Sequence, residues 1–216
     1  KPVAAEVGLG SRVAAITSTF TQGNLTHVEN PFSVALEGDG FFQIRTESGE
    51  LQYTRDGSFE ISPVANGNML CTSDGNPVLD AYGNQIILPS NRVATDLVVN
   101  QDGTLAFPDG TGNPAVITDA NGRPVKFGIY QFNNPAGLSK EGSNNYSVTV
   151  ASGAAVAENG NAAVKQTKTH QYYTEASNVD VANEMVNLIV AQRAYEMNSK
   201  AIQASDEMMQ QANALR

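Results

Sequence analysis

The residues that could carry chemistry are few and scattered. The sequence holds two histidines, His27 and His170, one cysteine, Cys71, and no tryptophan. A metal centre needs carboxylates or cysteines around a histidine at ligand spacing. Neither histidine has them: His27 sits in a polar stretch and His170 just before Tyr172-Tyr173. Both are read as surface or packing residues. A single thiol cannot form an intramolecular disulfide. In the run Met69-Leu70-Cys71 it is expected to be a buried small hydrophobe.

Acidic and amide side chains recur beside glycine, in Asp39-Gly40, Asp56-Gly57, Asn66-Gly67, Asp74-Gly75, Asp102-Gly103, Asp109-Gly110 and Asn121-Gly122. Asp74-Gly75-Asn76 and Asp102-Gly103-Thr104 offer oxygen ligands, but the longer acidic string of an EF-hand loop is missing. Turn geometry alone accounts for these pairs, since they supply the positive φ angles of tight hairpins. Glu37, Asp39, Asp56, Glu60 and Asp80 could furnish the two carboxylates of a glycosidase; the lack of tryptophan platforms weighs against that reading. A Gly-x-Ser-x-Gly elbow is absent, as is a Gly-x4-Gly-Lys-Ser/Thr phosphate loop. Gly8-Leu9-Gly10 never reaches the third glycine of a dinucleotide fingerprint. No catalytic, cofactor-binding or metal residue is assigned, no cofactor is expected, and the chain is read as not an enzyme.

The 216 residues carry a formal charge of −9 and are 41% hydrophobic. That is enough apolar content for a packed core. An acidic surface repels phosphate backbones, so no nucleic-acid partner is expected. No apolar run is long enough to span a bilayer, and no secretory signal is visible. Lys1 is not an initiator, so native sequence is expected before it.

The elements follow from punctuation. All 19 glycines and all 9 prolines precede residue 161. The front is therefore broken by turns, and the back is free to run as a helix. Residues 1–29 read as a connector, 30–170 as an antiparallel β domain rich in hairpins, and 171–216 as a C-terminal helix. The fold class is mainly β with a long C-terminal α-helix. Strands are expected at Phe41-Phe42-Gln43-Ile44, Leu51-Gln52-Tyr53-Thr54, Ile86-Ile87-Leu88, Leu97-Val98-Val99 and Val116-Ile117, with alternation in Val125-Lys126-Phe127-Gly128-Ile129 and Tyr146-Ser147-Val148-Thr149-Val150. Phe41, Phe42, Ile44, Tyr53 and Phe59 are the expected β core. The low-complexity stretch 151–163 reads as a mobile loop or hinge.

Ser177 and Asp180 have the spacing of a capping box, which predicts a helix start near Ser177. Val181, Met185, Leu188, Ile189, Gln192, Arg193, Tyr195, Ser199, Ile202 and Met209 are the expected interface residues. Gln192, Ser199 and Asp206 interrupt the apolar seam, as register-setting polar residues do in coiled coils. Val186, Val190 and Met197 form a second apolar set flanking it. A helix of about 35 residues is about 50 Å long, which exceeds the reach of one small β domain. Part of it is expected to lack an intramolecular partner.

Several strings together resemble the axial proteins of the bacterial flagellar rod and hook. They are Thr21-Gln22-Gly23-Asn24-Leu25, Gly38-Asp39-Gly40-Phe41-Phe42-Gln43-Ile44, Tyr53-Thr54-Arg55-Asp56-Gly57-Ser58-Phe59, Phe132-Asn133-Asn134-Pro135-Ala136-Gly137-Leu138, Gly142-Ser143-Asn144-Asn145-Tyr146, and the closing run from Ser177-Asn178-Val179-Asp180 to Asn198-Ser199-Lys200. The resemblance spans almost the whole chain. It is nearest the distal rod members, with proximal rod or hook-type members as the alternative. A secreted β-rich adhesin or surface module is the alternative of another class. The resemblance implies a self-assembling structural subunit of a hollow axial tube that transmits motor torque. It also implies type III export, partners among copies of itself, other axial proteins and the export apparatus, and no small-molecule substrate. The implied place is the basal body, outside the cytoplasm and in the periplasm where the cell has an outer membrane. In the family an N-terminal helix with an Asn-rich motif pairs with the C-terminal one; this sequence does not contain it.

Overall fold

The computed structural model describes residues 17–109, 114–119 and 121–214. Gly8-Leu9-Gly10, most of the expected connector and Gly110 lie outside the described residues. Two compact units are present, one ending at Ala176 and one beginning at Ser177.

The first unit contains the strands β1 (Leu25–His27), β2 (Val34–Glu37), β3 (Phe41–Arg45), β4 (Leu51–Thr54), β5 (Glu60–Val64), β6 (Gly67–Cys71), β7 (Ile87–Leu88), β8 (Val98–Val99), β9 (Leu105–Pro108), β10 (Pro114–Val116), β11 (Ile129–Gln131), β12 (Ser139–Gly142), β13 (Asn145–Ser147), β14 (Val156–Ala157), β15 (Lys168–Gln171) and β16 (Tyr173–Glu175). Every pairing among them is antiparallel. The largest sheet runs β12-β13-β4-β3-β11-β14; smaller sheets join β10-β9-β8, β5-β6-β7, β15-β2 and β1-β16.

Strand β3 is covered on both faces, so its alternation serves two cores. Phe42 and Ile44 enter the larger core with Val34, Leu36, Phe59, Leu70 and Phe127. Phe41 enters a smaller one with Tyr53, Phe132 and Leu138. Phe42 meets Phe59 and Phe127 edge-on, with ring centroids 5.0 and 5.2 Å apart. Phe41, Phe42, Ile44, Tyr53 and Phe59 are all buried.

One turn recurs five times among the described residues. In each, residue i donates to the carbonyl of i+4 and accepts from the N–H of i+3; the turns start at Thr46, Thr72, Asp80, Asn100 and Asp119. The i+3 residue is always glycine at positive φ: Gly49, Gly75, Gly83, Gly103 and Gly122. This is the hairpin loop that closes with a glycine bulge.

Asp39-Gly40 and Asp56-Gly57 do not follow that rule, contrary to the sequence reading. Neither glycine is among those at positive φ. They are glycine because of close approach: a Cβ on Gly57 would stand 1.8 Å from the carbonyl oxygen of Val34, and one on Gly40 2.5 Å from Ile129 Cγ2.

Four further expectations are corrected. β13 stops at Ser147, and Val150 is fully exposed. There the hydroxyls of Thr149 and Ser152 bind the local backbone and turn the chain. In 125–129 only Ile129 belongs to a strand, while Lys126 and Phe127 make single bridges to Thr104 and Asp80. The stretch 151–163 is tied into the unit: Ser152 and Glu158 are buried and β14 pairs with β11. Residues 173–175, grouped with the helix on the sequence, form β16 on the edge of β1.

Candidate assembly surface

The second unit is built around one helix, α1 (Val181–Ala214), of 34 residues. Nothing in 161–216 breaks a helix, since that stretch lacks both glycine and proline. Its start is set by Asp180, not Ser177. Asp180 Oδ1 accepts the N–H of Ala182 and Oδ2 accepts Asn183 Nδ2, at 3.0 and 2.8 Å. Ser177 Oγ instead accepts the N–H of Val179, so the expected capping box does not form. A carboxylate at the N-cap satisfies an orphan N–H and meets the positive end of the helix dipole.

Along α1 the steps Val181, Met185, Leu188, Gln192, Tyr195, Ser199, Ile202, Asp206 and Met209 alternate between four and three residues. That is a 3.5-residue repeat, the period of a left-handed coiled-coil seam. One layer of the repeat is apolar throughout: Val181, Leu188, Tyr195, Ile202 and Met209. The other layer begins with Met185 and is then polar, with Gln192, Ser199 and Asp206. No residue of α1 is buried, and Tyr195 is 77% exposed.

A second apolar stripe corrects the sequence reading. At about 100° per residue, Val186, Val190 and Met197 lie on the side opposite Val181 and Ser199, not flanking them. Ala201, Ala204 and Met208 continue that second stripe. Arg193 stands between Val190 and Met197, so it edges the second stripe, as does Lys200; Ile189 lies between the two. Ala201, Ala204 and Met208 were missed on the sequence, though their three- and four-residue steps were the signal. α1 therefore offers apolar surface on two opposed sides.

Several titratable residues of the first unit hold structural hydrogen bonds. His170 Nε2 is 2.7 Å from Glu37 Oε2, and this hydrogen bond holds the Glu37 carboxyl below its ordinary range. His27 stacks on Tyr172 and meets Tyr173 edge-on. Asp56 accepts Ser58 N–H and Asn144 Nδ2, and Asp80 accepts the N–H groups of Tyr82 and Asn84. Cys71 is buried, donates to the Glu60 carbonyl, and has its thiol pKa pushed up by burial. Among the described residues no group of three His, Cys, Asp or Glu could hold a metal ion. A cavity of about 20 Å³ beside Asp102, Lys126, Glu158 and Thr167 has room for about one water. No helix of the described residues is long and apolar enough to cross a membrane.

Residues 35–107 match the flagellar hook protein FlgE/F/G D1 domain, and residues 170–215 match the flagellar basal body rod FlgEFG protein C-terminal region. The chain is 38% identical over 220 residues to the flagellar basal-body rod protein FlgG of Borreliella burgdorferi, covering all of this chain and 76% of that relative. It is 35% identical over 211 residues to the FlgG of Bacillus subtilis, covering 95% of this chain and 73% of the relative. The flagellar hook-basal body complex protein FlhP of Bacillus subtilis is 32% identical over 219 residues, with 100% and 76% covered. These matches give the adhesin alternative no support. Taken with the antiparallel β unit and the capped, two-sided helix, they establish that the chain belongs to the flagellar basal-body rod protein family.

Proposed function

We propose that this chain is a structural subunit of the flagellar rod that assembles helically through the two apolar sides of α1. The carrying observation is that α1 is 34 residues long, capped, and buries none of its side chains. A helix with one apolar stripe needs one neighbour; a helix with two opposed stripes fits between two. Packed side by side in a heterologous contact that does not close into a ring, such helices build an open tubular array. Val181, Leu188, Tyr195, Ile202 and Met209 are the anchors of the first side, with Met185, Gln192 and Ser199 setting register. Ile189 borders both sides, and Arg193, on the second, is placed to meet a carboxylate of a neighbour. The neighbours are copies of this chain and other axial proteins of the rod and hook.

The relatives' names place them in the basal body, and we assign this chain the same site. We further propose that it passes through the flagellar export apparatus and works outside the cytoplasmic membrane, in the periplasm where there is an outer membrane. Torque transmission needs stiff, numerous contacts and no turnover, so no catalytic step is assigned.

The test is Tyr195→Asp in the full-length protein. The melting of the β unit is expected to stay within about 0.5 kcal/mol of wild type, as for exposed sites, while rod assembly and swimming are lost. Normal swimming with an intact β unit would overturn the assignment of that side of α1.

A further inference from the structure

Arg55, the residue after β4, has nearly every donor occupied. Its Nε and Nη2 reach Glu175 Oε2 at 3.0 and 2.9 Å. Its Nη1 donates to the carbonyls of Gly38 and Gly40 at 2.9 and 3.1 Å, and Nη2 reaches Gln22 Oε1 at 3.3 Å. The Arg55 and Glu175 side chains are only 14% and 13% exposed.

Those partners are themselves tied down. Glu175 Oε1 accepts the N–H of Gly23 at 2.8 Å. Gln22 donates to the Leu36 carbonyl and accepts the N–H of Gly38, both at 3.0 Å. The N–H of Ala176 donates to the Asn24 carbonyl at 2.9 Å, and Leu25 pairs with Glu175 in the β1–β16 ladder. The two runs lie so close that a Cβ on Gly23 would stand 1.9 Å from the Ala176 carbonyl oxygen. One planar cation thus gathers the chain as it approaches β1, the β2–β3 turn, and the chain as it leaves β16.

We propose that Arg55 is a positioning residue of the rod subunit. It clamps residues 22–24 and 175–176 to the β unit, so that load carried along the backbone between α1 and that unit enters the sheet at one fixed point. The proposal rests on the rod reading above. Arginine suits the task because its rigid fork meets a carboxylate on one edge and carbonyls on another, which a lysine ammonium does not reproduce. The pair also links residues 120 positions apart in sequence, so removing either charge leaves the other poorly solvated and unpaired.

Hydrogen exchange on the purified chain tests the clamp, with Arg55→Gln compared with wild type. The Gly23, Gly38 and Ala176 amides report on the clamp. Those of Leu105 and Phe127, bonded to Val125 and Gly103, report on the core. Clamp protection is expected to fall roughly tenfold or more with core protection unchanged, as for a local opening. Glu175→Gln, nearly isosteric, is expected to do the same and serves if Arg55→Gln fails to fold; Arg55→Lys is not expected to restore protection. Unchanged clamp protection, or an equal fall at clamp and core, overturns the clamp. In cells making the full-length protein, a loosened clamp is expected to impair swimming; a loosened clamp with normal swimming overturns its role in carrying load. Tyr195→Asp separates the failures, because normal swimming there, with an intact β unit, overturns the assembly role assigned to that side of α1 and leaves the clamp result standing.

Discussion

The two units of this protein are stabilised in opposite ways. In the β unit the core is made of side chains from strands and loops distant in sequence: Phe42 of β3 touches Phe59 and Phe127. In α1 the backbone ladder is local, and Leu188, Tyr195 and Met209 stand exposed. The helix has its hydrogen bonds and its cap, but its apolar surface is left exposed, and a helix in a protein gains most of its stability from packing such surface. In the assembly proposed above this separation is useful, since what stabilises the β unit is not what would join one subunit to the next.

The sharpest way to break the contrast is Phe42→Ala. Phe42 is fully buried, and its truncation is expected to cost about 3–5 kcal/mol of β-unit stability by chemical denaturation. A melt matching wild type would show that β3 is not the centre of that unit. A smaller effect is expected from Asp180→Ala, about 1 kcal/mol from the lost cap. It is to be read as reduced α1 helicity by circular dichroism, with the β melt unmoved. A shift in the β melt would mean that the two units are energetically coupled.

The smallest effect is electrostatic. Asp119 caps one of the five repeated turns, and its carboxyl is held below the ordinary 3.8, chiefly by the backbone N–H of Arg123. A pKa depressed in the folded state gives stability that is present above the unfolded value and lost as pH falls through the folded one. The melting difference between wild type and Asp119→Asn is therefore expected to be full near about pH 6 and to close below pH 3.8. A difference independent of pH would assign the effect to turn geometry.

The same contrast explains what could be read in the sequence. The β class and the helix were legible because hairpin glycines, a stretch free of glycine and proline, and helical spacing are local signals, and the family resemblance rested on short strings. Phe41, Phe42 and Tyr53 were legible as core because aromatic residues in short runs bounded by turns are first of all hydrophobic payload. The failures were non-local or depended on competing local bonds. Gly57 looks like a turn glycine, but its reason is the Val34 carbonyl 23 residues earlier. Val148 and Val150 continue the alternation of β13, yet Thr149 and Ser152 capture the backbone first. Ser177 and Asp180 both have capping chemistry, and only the geometry shows which one the helix uses. On α1 the first side was legible from its helical spacing. The opposed placement of Val186, Val190 and Met197 needed the wheel of an unbroken helix. Arg55 and Glu175 carry no mutual signal at all, because nothing in a sequence ties positions 120 residues apart.

The pairing of β1 with β16 has a consequence for how such subunits can diversify. Leu25 and Glu175 are direct partners across that ladder, so their Cα atoms are about 5 Å apart. Everything between them leaves and returns through a single doorway. A module with adjoining ends can be enlarged, trimmed or exchanged for another of the same doorway width without changing the spacing of the flanking chains. The β unit is in this sense an insert, whose two ends at Leu25 and Glu175 enter and leave side by side.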